Sequence, residues 1–161
     1  MDYKILVINP GSTSTKVALY ENEDMIFNET IEHKTEELDK YENLLDQGEI
    51  RAYAIRETLA KHNVDLSELS GAASMGGLLK GIVGGGYLVN EEMVADLKGL
   101  AAPHASNLGG VLAHEIVKPL GINAYIYDAV TSMEFNEIAT VTGMSEVWRT
   151  SACHVLNMKA K

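Results

Sequence analysis

Apolar positions in the first thirty residues fall in short runs separated by polar turns. Residues 3–8 (YKILVI) are nearly continuous, the pattern of a central strand buried on both faces. A turn rich in Gly, Ser and Thr follows over residues 9–15, then an apolar segment at 16–20, a polar turn at 21–24 and a third segment at 25–31. Two hairpins in succession make an antiparallel meander. The period then lengthens. Leu38, Tyr41, Leu45, Gly48, Ala52, Ile55 and Leu59 recur in steps of three and four and share one helical stripe, which Gly48 interrupts; one long helix or two abutting helices satisfy it. Residues 70–74 form a short buried strand that feeds a glycine-rich loop. A helix is expected over 91–97, and another from Ala105 with Leu108, Val111, Leu112 and Ile116 inward. Residues 124–127 give a further strand ending at Asp128, and the segments around Asn136 and from Ser151 onward are expected to be helical. Three antiparallel strands followed by alternating helices and strands is an α/β order with a mixed sheet, that of a ribonuclease-H-like domain. Residues 153–161 are helix-forming but end without Gly or Pro, as a frayed terminal helix or a chain cut short would.

Composition narrows the function classes. A chain of 161 residues is the size of one domain. Its formal charge of -10, with no cluster of Lys and Arg, argues against a nucleic-acid partner. The first apolar run is too short for a signal-peptide core or a membrane span. Cys153 is the single cysteine, so no internal disulfide can form; the expected location is the cytoplasm, and Cys153 reads as a small half-buried residue rather than a nucleophile.

Candidate chemistry gathers at four places. Residues 9–16 (NPGSTSTK) join two strands. Gly11 frees the backbone, the hydroxyls of Ser12, Thr13, Ser14 and Thr15 are donors, and Lys16 adds charge. Successive backbone N–H groups in such a turn can form an anion-binding concavity. Because the turn enters a strand rather than a helix it is not a Walker loop. On its own it is equally a hairpin phosphate loop or an ordinary Ser/Thr-rich hairpin. The second place is residues 74–80 (SMGGLLK) with Gly84, Gly85 and Gly86, where glycines permit close approach of a ligand or simply a flexible connection. The third is residues 103–107 (PHASN), a helix start at which His104 can meet an anion or act as a cap. The fourth is Asp128 at a strand's C-terminal end, where ligands collect in open α/β sheets; it can hold a metal or cap the next helix. Arg149 and His154 are spaced to face one cleft, and His33, His62 and His114 are expected to be solvated.

These pieces together resemble the butyrate kinase family, in the acetokinase group of the actin-like and sugar-kinase-like ATPases. The resemblance covers essentially the whole sequence and rests on residues 8–16 (INPGSTSTK), 76–80 (GGLLK), 104–110 (HASNLGG) and 149–157 (RTSACHVLN). Pro10 and GGLLK are similar to the butyrate branch more than to acetate kinase. The resemblance implies phosphoryl transfer between ATP and a short-chain carboxylate such as butyrate, with Mg²⁺, giving an acyl phosphate and ADP. It implies Asn9 near the metal and the transferring phosphate, and Ser12, Ser14 and Lys16 along the phosphate loop. It further implies Asp128 as the essential acid, His104 on the acyl phosphate, and His154 stabilising the phosphoryl group in flight.

Two departures modify that expectation. The family carries an arginine before the two glycines of residues 76–80, and here the position is Met75, which cannot make a bidentate contact to carboxylate or phosphate. One such contact contributes about 2–4 kcal/mol of transition-state stabilisation. The family's second half, with its His-x-Gly-Gly-Gly motif, adenosine pocket and main dimer contacts, is not among these residues. The expectation is therefore an N-terminal domain without its C-terminal nucleotide-binding domain, inactive alone and exposing apolar surface through which it can self-associate. The alternative is a degenerate, non-enzymatic relative that binds only phosphate or a protein partner. A nuclease of the same fold would need clustered carboxylates for two metals, and Asn9 stands where the first is expected.

Overall fold

Two hairpin turns fold residues 4–32 onto themselves. Strand β1 (Lys4–Pro10) pairs antiparallel with β2 (Ser14–Glu21), which pairs antiparallel with β3 (Asp24–Glu32). Asn22, with its backbone in the left-handed region, makes the second turn, as a short polar side chain can. The computed structural model describes residues 2–101 and 104–152. Beyond the meander, β4 (Gly71–Met75) and β6 (Asn123–Tyr127) add parallel strands, and β5 (Gly86–Leu88) returns antiparallel at the edge. The sheet has six strands in the order β3-β2-β1-β4-β6-β5. This is the mixed α/β architecture expected from the order of elements.

The register sorts the side chains. Leu6 lies opposite Leu19, Ile8 opposite Val17 and Pro10 opposite Thr15, all buried on one face. On that face also lie Ala72 and Ser74 of β4 and Ala124 and Ile126 of β6. Helices α2 (Gly48–Lys61) and α4 (Asn107–Val117) pack against it, with α3 (Glu91–Gly99) on α4. Asn90 caps α3 by accepting the Met93 N–H at 2.9 Å. The opposite face is more open: Ile5 and Val7 are half-buried, and Tyr125 and Tyr127 are 43% and 49% exposed. The continuous apolar run of β1 therefore does not signify burial on both faces here; the run supplies one buried face and the floor of an open one.

Glycine sets the distance between α4 and the sheet. A Cβ on Gly109 would stand 2.1 Å from the Ser74 hydroxyl oxygen, and one on Gly110 would stand 3.0 Å from Ile126. The helix is buried nearly all round, so these two residues bring its axis against β4 and β6.

Three expectations change. The stripe from Leu38 to Leu59 is not one helix; two helical segments do abut at Gly48, but the first is a 3-10 turn rather than an α-helix. It is α1 (Thr35–Leu38), a 3-10 turn at Leu44–Gln47, and α2, in which Gly48 is the first residue. β5 emerges from the glycine-rich loop. The segment near Asn136 contains only α5 (Glu137–Thr140), one turn capped by Asn136 and closed by an isolated bridge between Val141 and Trp148. Its apolar side chains face outward: Ile138 is 84% and Trp148 62% exposed. The helix expected from Ser151 onward, with Cys153, lies outside the described residues. No helix among the described residues is long and apolar enough to cross a membrane.

Candidate functional site

The sheet changes direction between β1 and β4. From β1 the chain proceeds to β2 on one side, whereas from β4 the neighbours are β6 and β5 on the other. The crevice beyond the carboxyl ends of such strands is where open α/β sheets bind ligands. A cleft of about 450 Å³ lies there, lined by Val7, Asn9, Ser12, Met75, His104 and Tyr127 among others. Val7, Asn9, Ala73, Met75 and Tyr127 all come from the open face of the sheet, so the register of β1, β4 and β6 builds the cleft floor.

The turn from β1 to β2 forms one wall. Gly11 N–H donates to the Ser14 carbonyl at 2.7 Å and closes the turn. Ser12 lines the cleft, and Ser14 starts the outgoing strand. Lys16 is exposed and directly opposite Asn9, which puts both side chains on the same sheet face. Beneath the turn lies Arg51, fully buried, which donates to the Ser12 carbonyl at 2.9 Å and to the Thr15 hydroxyl at 3.0 Å. Burial lowers its pKa from the usual guanidinium value, yet a guanidinium remains charged throughout the working pH range. Sequence reasoning missed Arg51. The usable signal was its place four residues before Ile55 and one before Ala52, on the buried side of α2.

The opposite wall is the approach to α4. His104 Nδ1 accepts the Ser106 backbone N–H at 3.2 Å and lies 2.7 Å from the Ser106 hydroxyl. These contacts assign the ring proton to Nε2, leaving that N–H as the donor His104 can present in the cleft. The next residue, Asn107, is fully buried and accepts the Leu78 N–H at 2.9 Å, tying the start of α4 to the 76–80 loop. A Cβ on Gly77 would meet the Asn107 side-chain oxygen at 2.5 Å. The Gly-Gly pair of this loop thus serves close packing as much as access.

Asp128 sits just past β6, 1% exposed, with its backbone in the left-handed region. Its Oδ1 accepts the Gly85 N–H at 2.7 Å and its own N–H donates to the Gly85 carbonyl at 3.0 Å. It anchors the glycine-rich loop instead of capping a following helix, since α5 begins only at Glu137. Its neighbour Tyr127 lines the cleft; Asp128 does not.

Asn9, Ser12 and His104 are therefore brought together, with Ser14 and Lys16 on the adjoining strand. Arg149 is exposed and its N–H donates to the Thr140 carbonyl at 2.8 Å, and His154 lies outside the described residues. His33 is buried against Thr15 at 2.8 Å. His62 stacks on Phe27 with ring centroids 4.0 Å apart and lies 2.8 Å from Glu29, and His114 lies 3.3 Å from Glu91, so none of the three is simply solvated. No group of three His, Cys, Asp or Glu among the described residues is arranged to hold a metal.

No family model matches the chain. Butyrate kinase 1 of Clostridium acetobutylicum is 45% identical over 159 residues, which is 98% of this chain and 45% of that protein. A probable butyrate kinase of Clostridium botulinum is 46% identical over 161 residues, again covering 45% of the relative. Among solved structures, acetate kinase of Porphyromonas gingivalis superposes on 93% of this chain with a TM-score of 0.63 at 18% identity, covering 45% of its own chain; this shows the shared fold. The chain thus spans about half the length of the relatives it matches, and a correspondence to their N-terminal half fits that coverage. Alike along nearly its whole length in sequence, the chain is a homologue of butyrate kinases, and it shares its fold with acetate kinase.

Proposed function

We propose that this chain forms one side of a site for phosphoryl transfer between ATP and a short-chain carboxylate such as butyrate. The observation that carries the proposal is the convergence of Asn9, Ser12 and His104 on one cleft beyond the ends of β1 and β4. The parts suit the chemistry, which depends on positioning and charge neutralisation more than on covalent participation. Amides and hydroxyls of the 9–16 turn, with Lys16, bind phosphate oxygens. His104, donating from Nε2, holds the acyl phosphate. His154 takes the charge of the phosphoryl group in flight. Asp128, which does not line the cleft, acts on the metal and phosphate environment through its charge and not by contact, and its hold on Gly85 places the glycine-rich loop.

Mg²⁺ here would arrive with the nucleotide. Asn9 offers one neutral side-chain oxygen at the cleft, and the described residues form no dedicated cage. Both suit a hard cation that keeps most of its ligands as water and phosphate. Bound there, the metal would neutralise charge on the phosphates.

A site between two domains needs both. The chain spans 45% of its relatives' length, and we place the nucleotide side of the site in the remainder. A second reading, a non-enzymatic relative that binds only phosphate or a partner, is favoured by Met75, which lines the cleft at the position of the family's arginine. A coupled acyl-phosphate assay with Mg²⁺, ATP and butyrate tests whether the chain suffices alone, and binding of butyryl phosphate separates the two readings. The chain and its Met75→Arg variant are expected to be silent beside an active full-length relative. Turnover by the chain alone would show that these residues complete an ATP site. With Met75→Arg, a gain in binding of butyryl phosphate supports the enzyme ancestry of the cleft, and no gain supports the second reading.

A further inference from the structure

Among the described residues the side chain of Arg51 donates only to neutral oxygens. Its Nη2 donates to the Ser12 carbonyl at 2.9 Å, and its Nη1 to the Ser14 carbonyl at 3.1 Å and the Thr15 hydroxyl at 3.0 Å. Gln47 Oε1 accepts from Nε at 3.2 Å and Nη2 at 2.9 Å, which fixes the plane of the fork. The remaining carbonyl of the turn, that of Thr13, accepts the His33 backbone N–H at 2.9 Å. All three carbonyls from Ser12 to Ser14 are thus held from the protein side. Across a peptide unit the N–H points opposite to the C=O, so drawing the Ser12 carbonyl inward turns the Thr13 N–H outward. Among the described residues the N–H groups of Ser12 and Thr13 donate to nothing.

The charge is equally unusual. Arg51 is fully buried, and no carboxylate among the described residues pairs with it. For stability alone an apolar side chain of similar volume serves as well as a buried ion. A buried guanidinium that holds two carbonyls and keeps its charge uncancelled suits an anion seated on the far side of the turn.

We propose that Arg51 is the positioning residue of the 9–16 turn, holding the Ser12 and Ser14 carbonyls inward so that the Thr13 amide, beside the undonated Ser12 amide, faces an anion to which Arg51 also lends its charge. The inference rests on reading that turn as a phosphate site. Gln47 orients the fork, and Thr15 joins it to the first residues of β2.

Inorganic phosphate titrated at low ionic strength into the ¹⁵N-labelled chain, followed at the Ser12 and Thr13 amides, tests this. The parent chain is expected to show saturable shifts at both. Arg51→Met, in the folded state verified by a dispersed spectrum, is expected to bind phosphate at least about tenfold more weakly, 1.4 kcal/mol. Arg51→Lys keeps the charge without the fork and should fall between the two. A merely structural arginine would lower the melting temperature and leave the affinity of the folded protein alone; that result overturns the inference while the phosphate site stands. If the parent chain shows no response at either amide, the phosphate site itself falls, and the inference with it. Should neither Arg51 variant fold, Gln47→Met decides. It removes the acceptor that orients the guanidinium and keeps the charge, so unchanged amide positions and unchanged phosphate affinity in it overturn the proposal.

Discussion

At Thr15 one hydroxyl stands between a guanidinium and an imidazole. Arg51 Nη1 donates to it at 3.0 Å, and His33 Nε2 lies 2.8 Å away. The hydroxyl proton is then available to donate to Nε2, an arrangement that suits a neutral His33. Burial, and after it the charge of Arg51, lower the His33 pKa, with Glu32 and Glu37 pulling weakly the other way. Neutral His33 is therefore favoured by folding. Between its lowered folded value and the usual value of about 6.5, the unfolded chain binds more protons than the native one. This contribution to stability is complete above the unfolded value and is lost as pH falls through the folded one. Urea midpoints measured from pH 7.5 down to 5 are expected to fall, with a shallower slope in His33→Gln; parallel slopes would contradict it. None of this could be read in one dimension. Thr15 is separated by 18 residues from His33 and by 36 from Arg51, and no local spacing in the sequence links the three. Ser12, Asn9 and His104 were legible because each sits in a short motif whose residue types carry the chemistry locally.

The elements that could be read from the sequence are those whose burial follows one period. In β2, and in α4 with its buried Leu108, Val111, Leu112 and Ile116, the apolar spacing and the packing agree, whereas the apolar run of β1 exceeds its one buried face. β5 escaped because three residues in a glycine-rich stretch carry no period; its partner β6 specifies it instead. The stripe from Leu38 to Leu59 left one helix or two open because a 3-10 turn preserves apolar spacing while breaking the α-helix, here at Gly48. Glycine placement in α4 makes a sharper prediction. Gly109→Ala would drive a methyl group into the Ser74 hydroxyl oxygen, 2.1 Å away, and to 3.0 Å from the Met75 carbonyl. The expected loss is about 1–3 kcal/mol of unfolding free energy by urea titration. Pairing it with Ser74→Ala should recover part of the loss, since that oxygen is the closest obstacle. A fully additive double mutant would mean that α4 shifts as a body instead of meeting Ser74.

On the scale of the whole molecule, polar and apolar surfaces are unevenly shared. The helices cover the sheet face of Leu6, Ile8 and Val17, while residues 133–148 expose Met133, Phe135, Ile138, Val141, Met144, Val147 and Trp148. Exposed apolar side chains gathered on one segment suit association with another surface. We expect the chain to bind a hydrophobic dye in its folded state and to sediment heavier with rising concentration. A monomer without dye binding would show that the segment folds over itself in solution. The cleft shares this dependence on the whole: its floor comes from three strands, and its walls from a turn and a helix approach far apart in sequence. Motifs could name its residues, but only the sheet order β3-β2-β1-β4-β6-β5 could say that they meet.

The bridge between Val141 and Trp148 has an optical consequence. Trp148 is the only tryptophan, and it is 62% exposed on a segment held by a short bridge and one turn of helix. Its indole already sits in water, so its emission begins red-shifted and has little further to move as the core around Leu6, Ile8 and Leu112 melts. Tryptophan anisotropy would report the loosening of residues 141–148, while circular dichroism would report the sheet and α4. Two transitions recorded by these probes would describe two parts of one chain, and their separation would measure how loosely the segment is tied to the core.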